Sequence, residues 1–141
     1  MSQENVETVR TVYDEWEKGN LRAGEELWDT LALFIPAPTP DGTETGYYIG
    51  PEAVAAFMRE WVKPWKKLTI SAEEIIEAEA NVVVVGRQRG VGRESGLTVD
   101  MLQFHVWSFR GPKAIRFEVF PERVEALEAV GVSEQGAHAD S

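Results

Sequence analysis

Apolar residues recur along the first part of the chain at steps of three and four. Val6, Val9, Tyr13 and Trp16 lie on one face of a helix running from about Glu4 to Lys18. Ser2 suits its cap and Lys18-Gly19 its stop. Asn20 can cap a second, short helix through Leu27 and Trp28, which would make a helical hairpin. Leu31 to Ile35 is short and uniformly apolar and runs into Pro36, Pro38 and Pro40, so it reads as a buried strand ending in a loop. A brief strand around Tyr47 to Ile49 precedes Gly50-Pro51-Glu52. That triplet opens a further helix, because proline at the first helical position gives up an amide that had no partner. Val54, Phe57, Met58 and Trp61 form its buried stripe, and Pro64 ends it.

From Lys66 to Phe120 the pattern changes to long alternating strands, separated by turn signals at Ala80-Asn81, Ser95-Gly96 and Arg110-Gly111-Pro112. The first alternates through Leu68, Ile70 and Ala72 and then slips phase at Ile75-Ile76, which predicts a bulge and a bent sheet. The strand from Leu97 to Arg110 is apolar on both faces beyond Asp100, with Met101, Trp107 and Phe109 on one and Leu102, Phe104 and Val106 on the other. If one face covers the helices, the other must be hidden too, most simply by a second copy of the chain, so a homodimer through the outer sheet face is expected. A last helix carries Val124, Leu127 and Val130 and stops at Gly131. Residues 1–132 are thus expected to form one domain and 133–141 a flexible tail.

Composition narrows the class. At 141 residues, the chain supports one complete core and not two. With 43% hydrophobic residues and a mean hydropathy of -0.27, it contains no apolar run of membrane-spanning length. The net charge of -10, from 24 acidic and 14 basic residues, opposes binding to nucleic acid or anionic lipid. The absence of cysteine removes disulfides, thiolate metal sites and thiol nucleophiles together. The start of the chain is polar and acidic, without the features of a signal peptide, so a cytoplasmic protein is expected.

The order of elements resembles the nuclear-transport-factor-2-like, or SnoaL-like, superfamily. The resemblance runs from about Val6 to Gly131. It is carried by Tyr48-Ile49-Gly50-Pro51-Glu52-Ala53-Val54, His105-Val106-Trp107-Ser108-Phe109 and Gly111-Pro112-Lys113-Ala114-Ile115-Arg116-Phe117. It implies a cone-shaped α+β roll, a curved antiparallel sheet wrapped around helices, with a deep pocket between helices and concave face. It leaves the chemistry open, because that superfamily includes isomerases, polyketide cyclases, epoxide hydrolases, dehydratases and plain binding proteins.

The polar positions of those enzymes are largely absent. Where ketosteroid isomerases carry an oxyanion tyrosine, a proton-moving aspartate and an oxyanion aspartate, this sequence has Val12 (with Tyr13 beside it), Ile35 and His105. The last-strand carboxylate of SnoaL-type cyclases and epoxide hydrolases falls on Val119. The alternation of Ile115, Phe117 and Val119 turns the neighbouring Glu118 and Arg116 to the other face, while a one-residue register shift would bring Glu118 inward. The Arg-x-Asp position of the epoxide hydrolases falls in Arg87-Gln88-Arg89. Pointing inward, Arg87 and Arg89 would offer a site for an anion or a polarised carbonyl; pointing outward, they are solvated and Gln88 is the inner group.

His105 is the sharpest candidate for catalysis, with Gln103 and Trp107 beside it by strand parity. Burial would keep its imidazole neutral and able to act as base or hydrogen-bond partner. The plainer reading is a core histidine satisfied by a neighbouring element. The family geometry turns Trp16, Phe57 and Trp61 toward the cavity, and Phe117 and Val119 complete its apolar wall. Flat walls with few polar groups suit an aromatic or terpenoid-like ligand. The acidic positions Glu73, Glu74, Glu77 and Glu79 read as a solvated strand face, and Gly90 and Gly92 as hairpin glycines. No residues have metal-ligand spacing, and no cofactor is expected. Two functions follow: a cofactor-free lyase, isomerase or hydrolase using His105, or a non-catalytic carrier of a small apolar molecule. An engineered pocket on this scaffold would read the same way.

Overall fold

The computed structural model describes residues 2–36 and 46–132. The expected loop through Pro38 and Pro40 and the expected tail from 133 lie outside the described residues. Helix α1 (Ser2–Glu17) is followed by strands β1 (Trp28–Ile35) and β2 (Tyr48–Ile49) and helix α2 (Pro51–Val62). Four long strands then run in succession: β3 (Trp65–Ala78), β4 (Asn81–Gly92), β5 (Thr98–Arg110) and β6 (Lys113–Phe120). Helix α3 (Arg123–Ala129) closes the described chain. No helix among the described residues is long and apolar enough to cross a membrane.

The strands form one curved, unclosed six-stranded sheet in the order β2-β1-β6-β5-β4-β3. The sheet is mixed rather than wholly antiparallel, because β1 runs parallel to β6. Such a pairing joins strands far apart in sequence and leaves no turn signal between them. The expected bulge is found as a register shift between Ala72 and Glu74. Beyond it Ile75 packs with the helix-side core and Ile76 on the opposite face.

Helix α1 buries Val6, Val9, Val12, Tyr13 and Trp16 and lies against β3. The expected second helix does not form. Gly24 takes a left-handed backbone (φ 93°) with the Val12 methyls 3.2 and 3.3 Å from where a Cβ would stand. Only a 3-10 turn at Glu25–Leu27 follows, and Trp28 already belongs to β1. Strand β1 is also less buried than its composition suggests: Ala32 and Phe34 face the core while Leu31 is exposed.

The outer face of the sheet carries a second cluster, in which Ala126 and Leu127 of α3 pack on Ile76, Val83, Val85, Phe104 and Val106. Arg123 holds α3 in place through paired bonds to Glu74 at 2.9 and 3.2 Å. Of the outer strip of β5, Phe104 and Val106 are thus covered by the chain's own last helix, while Leu102 stays 40% exposed.

Candidate functional site

A cavity of about 530 Å³ opens between α1, α2 and the concave face of the sheet. Its walls are mostly apolar, with aromatic rings from both the helices and the sheet. Phe34 stands 5.2 Å from Phe57 and 5.5 Å from Phe117, ring centre to ring centre. Trp16, Phe57, Trp61, Gln103, His105, Phe117 and Val119 are all brought together around it. The inward set on β5 and β6 follows from strand parity: His105 is paired with Val119, so both point to the concave side.

Three expected site residues stand elsewhere. Arg87 and Arg89 point to the outer face, because β4 alternates without interruption and turns Val82, Val84, Gly86 and Gln88 inward. There Arg87 binds Glu73 at 3.1 Å and Asp100 at 2.7 Å, and Arg89 lies 3.5 Å from Asp100. On that face an arginine keeps its water and finds carboxylates, whereas the inward side of β4 meets the apolar core. Trp107 faces inward but lies behind the lining as core, 1% exposed. Gln88 is the inner group of the triplet, buried between Ile70 and Met101, with an Oε1 that has no hydrogen-bond partner. Glu118 points outward onto Arg116 at 2.6 Å, as the alternation predicts.

Polar groups in the cavity wall are few: Gln103, His105 and, from the 3-10 turn, Glu25. His105 is 2% exposed and belongs to a line of hydrogen-bonding groups. Trp107 Nε1–H donates to the Tyr13 hydroxyl at 3.0 Å, that hydroxyl is 2.6 Å from His105 Nδ1, and His105 Nε2 is 3.4 Å from Gln103 Oε1. Burial drives the histidine pKa down to about 3 and the tyrosine pKa well above its ordinary value, since both charged forms would be stripped of water. Both rings are therefore neutral at ordinary pH. Among the described residues no group of acidic, histidine or cysteine side chains could hold a metal ion.

Tyr13, Trp28 and Glu25 were not in the expected site. Tyr13 carried a signal, since a tyrosine in a core-facing stripe needs a partner for its hydroxyl. Glu25 carried none, because its place depends on the turn that replaced the second helix.

Gly86 gives the histidine its room. A Cβ there would stand 2.8 Å from His105 Cε1 and 3.2 Å from Nδ1. Gly86→Ala is expected to push the imidazole off Tyr13 and to destabilise the fold by about 1–3 kcal/mol, as overpacked cores do. Urea unfolding, together with loss of the native His105 ring resonances, checks this; an unchanged midpoint and spectrum would contradict it.

A curved sheet wrapped around helices, with an aromatic-lined cavity between them and His105 buried in its wall, is the architecture of the nuclear-transport-factor-2-like fold. The chain belongs to the SnoaL-like domain family, whose model matches residues 9–117. Solved structures agree on the fold. An NTF2-like protein of unknown function from Burkholderia pseudomallei is 22% identical with a TM-score of 0.71, over 91% of this chain and 98% of that one. A protein described as a SnoaL-like polyketide cyclase from Jannaschia sp. CCS1 is 21% identical with a TM-score of 0.72, over 92% of each chain. TerC, co-crystallised with polyporic acid, is 20% identical with a TM-score of 0.70, over 89% of this chain and 97% of that one. No curated protein matches significantly.

Proposed function

We propose that this protein holds a small, flat, largely apolar organic molecule in the cavity, with one polar atom of the ligand placed against His105 and Gln103. The carrying observation is the cavity: about 530 Å³, lined mostly by apolar and aromatic side chains, with the polar groups that the sheet contributes, Gln103 and His105, together on β5. Burying apolar rings against such walls supplies the affinity, and a single polar contact supplies the orientation. The SnoaL-like polyketide cyclase and the complex with polyporic acid support the reading by likeness of fold.

Binding is tested with fluorene as probe, followed through tryptophan fluorescence, since Trp16, Trp28 and Trp61 border the cavity. Saturable quenching is expected. It should weaken about tenfold or more in Ala55→Trp, which fills the space from α2 and leaves every polar group in place. Quenching that does not saturate, or that ignores Ala55→Trp, would sink the proposal.

Catalysis is the second reading, and the observation favouring it is that a buried, neutral imidazole borders the cavity. Such a group can polarise a carbonyl without a cofactor, and the carboxylate nearest to hand on the cavity wall is that of Glu25 in the 3-10 turn. A cofactor-free lyase, isomerase or hydrolase would lose turnover by about a hundredfold or more in His105→Ala while fluorene still bound. A pure carrier would show no conversion of any bound compound.

A further inference from the structure

Resting on the reading of the cavity as a ligand site, we infer that His105 faces it as a fixed hydrogen-bond donor, its tautomer set by Trp107 and Tyr13, so that the site selects ligands presenting an acceptor oxygen of the carbonyl or quinone type.

The direction of the hydrogen bonds follows from what each group can do. An indole N–H only donates, so at 3.0 Å the Tyr13 oxygen must be the acceptor from Trp107. The one proton of the hydroxyl is then free for the atom 2.6 Å away, Nδ1 of His105. With Nδ1 accepting, the neutral ring carries its proton on Nε2. The opposite tautomer would make the Tyr13 oxygen accept twice and leave its own hydrogen with no acceptor. Tyr13 is 1% exposed, so no water relieves that loss. An orphaned buried donor disfavours this tautomer by roughly ten- to a hundredfold.

The Nε2–H therefore points to the cavity side, where Gln103 Oε1 is its acceptor at 3.4 Å. That bond is longer than a good N–H···O bond, so a ligand oxygen at a shorter distance can replace it. Gln103 is half-buried in the same wall. Once released, it can turn its amide so that the NH2 donates to the same oxygen. A carbonyl oxygen has two lone pairs and can take both bonds. Packing keeps the ring in this orientation, with Gly86 against one edge and Phe117 5.2 Å away, centre to centre. Tyr13 and Trp107 are positioning residues here, because neither borders the cavity.

Three tricyclic compounds of nearly the same shape test the inference: fluorene with no polar atom, fluorenone with an acceptor only, and carbazole with a donor N–H only. Wild-type protein should bind fluorenone about tenfold or more tighter than fluorene. In Gln103→Leu, where His105 is the polar group left on that wall, fluorenone should keep its preference and carbazole should bind no tighter than fluorene. Tyr13→Phe frees the tautomer and should narrow the fluorenone preference severalfold while fluorene affinity holds. Carbazole preferred in Gln103→Leu, or a fluorenone preference untouched by Tyr13→Phe, overturns the inference with the cavity reading intact. Absence of fluorene binding counts against the cavity reading instead. Nitrogen-15 spectra of His105 in the ligand-free protein decide the tautomer independently. A proton on Nε2 is expected, and a proton on Nδ1 overturns the inference whatever the ligands do.

Discussion

Trp107→Ala is expected to lower stability by about 3–5 kcal/mol, the range for deleting a large aromatic side chain from a packed core. The ring is 1% exposed and is surrounded by aromatics, with Phe117 at 4.8 Å, Trp28 at 5.8 Å, Phe109 and Trp16 at 6.1 Å and Tyr13 at 6.2 Å between ring centres. Its removal opens a void under the cavity floor and takes the donor away from Tyr13. A domain of this size has a total stability of about 5–15 kcal/mol, so the variant should be near the edge of folding. Trp107→Phe keeps most of the volume and should cost less. Arg89→Ala is the control, since an exposed ion pair contributes about 1 kcal/mol or less. Urea midpoints measure all three. A Trp107→Ala loss below about 1 kcal/mol would mean that the core repacks around the gap.

Acid should weaken the fold well before its carboxylates titrate. The unfolded chain takes up a proton at His105 near pH 6.5, whereas in the folded protein burial holds the imidazole neutral down to about pH 3. Between those values the unfolded state binds the extra proton, so stability is full above pH 6.5 and falls as pH drops through the window. The slope approaches about 1.4 kcal/mol per pH unit, and the total is on the order of 5 kcal/mol. The carboxylates whose pKa is lowered, Asp100 beside Arg87, Glu74 beside Arg123 and Glu15 beside Asn20 and Lys18, push in the same direction, but mainly around and below their ordinary values of 3.8 and 4.5. The interval from pH 6.5 to 4.5 therefore reports His105. Urea unfolding across it should show the decline in wild type and a much flatter line in His105→Gln. Equal slopes would mean that the imidazole reaches water in the folded state.

Much of this arrangement is legible in residue order. The three- and four-residue spacing of Val6, Val9, Tyr13 and Trp16 marks the buried face of α1, and Pro51 with Val54, Phe57 and Trp61 marks α2 and its inner stripe. Strand parity places Gln103 and His105 on one face and Glu118 on the other. Parity alone left Arg87, Gln88 and Arg89 undecided, because an alternating strand has two faces and its own residues do not say which one meets the helices. The -10 net charge was equally silent on that point: the outward arginines are matched locally by Glu73 and Asp100.

The sequence by itself determined which residues share a face, because a strand repeats every two residues and a helix every 3.6 whatever surrounds them. It also determined that any pocket here would be aromatic and poor in charge. Only the tertiary structure decided what each face meets: β1 beside β6, α3 over the outer sheet, Trp28 in a strand. It also set Tyr13 against His105 across 92 residues of chain. That contact depends on how α1 crosses a sheet bent at its bulge, and no periodicity within either segment encodes the crossing. The tautomer of His105 is settled by that crossing, through a hydroxyl proton with a single place to go.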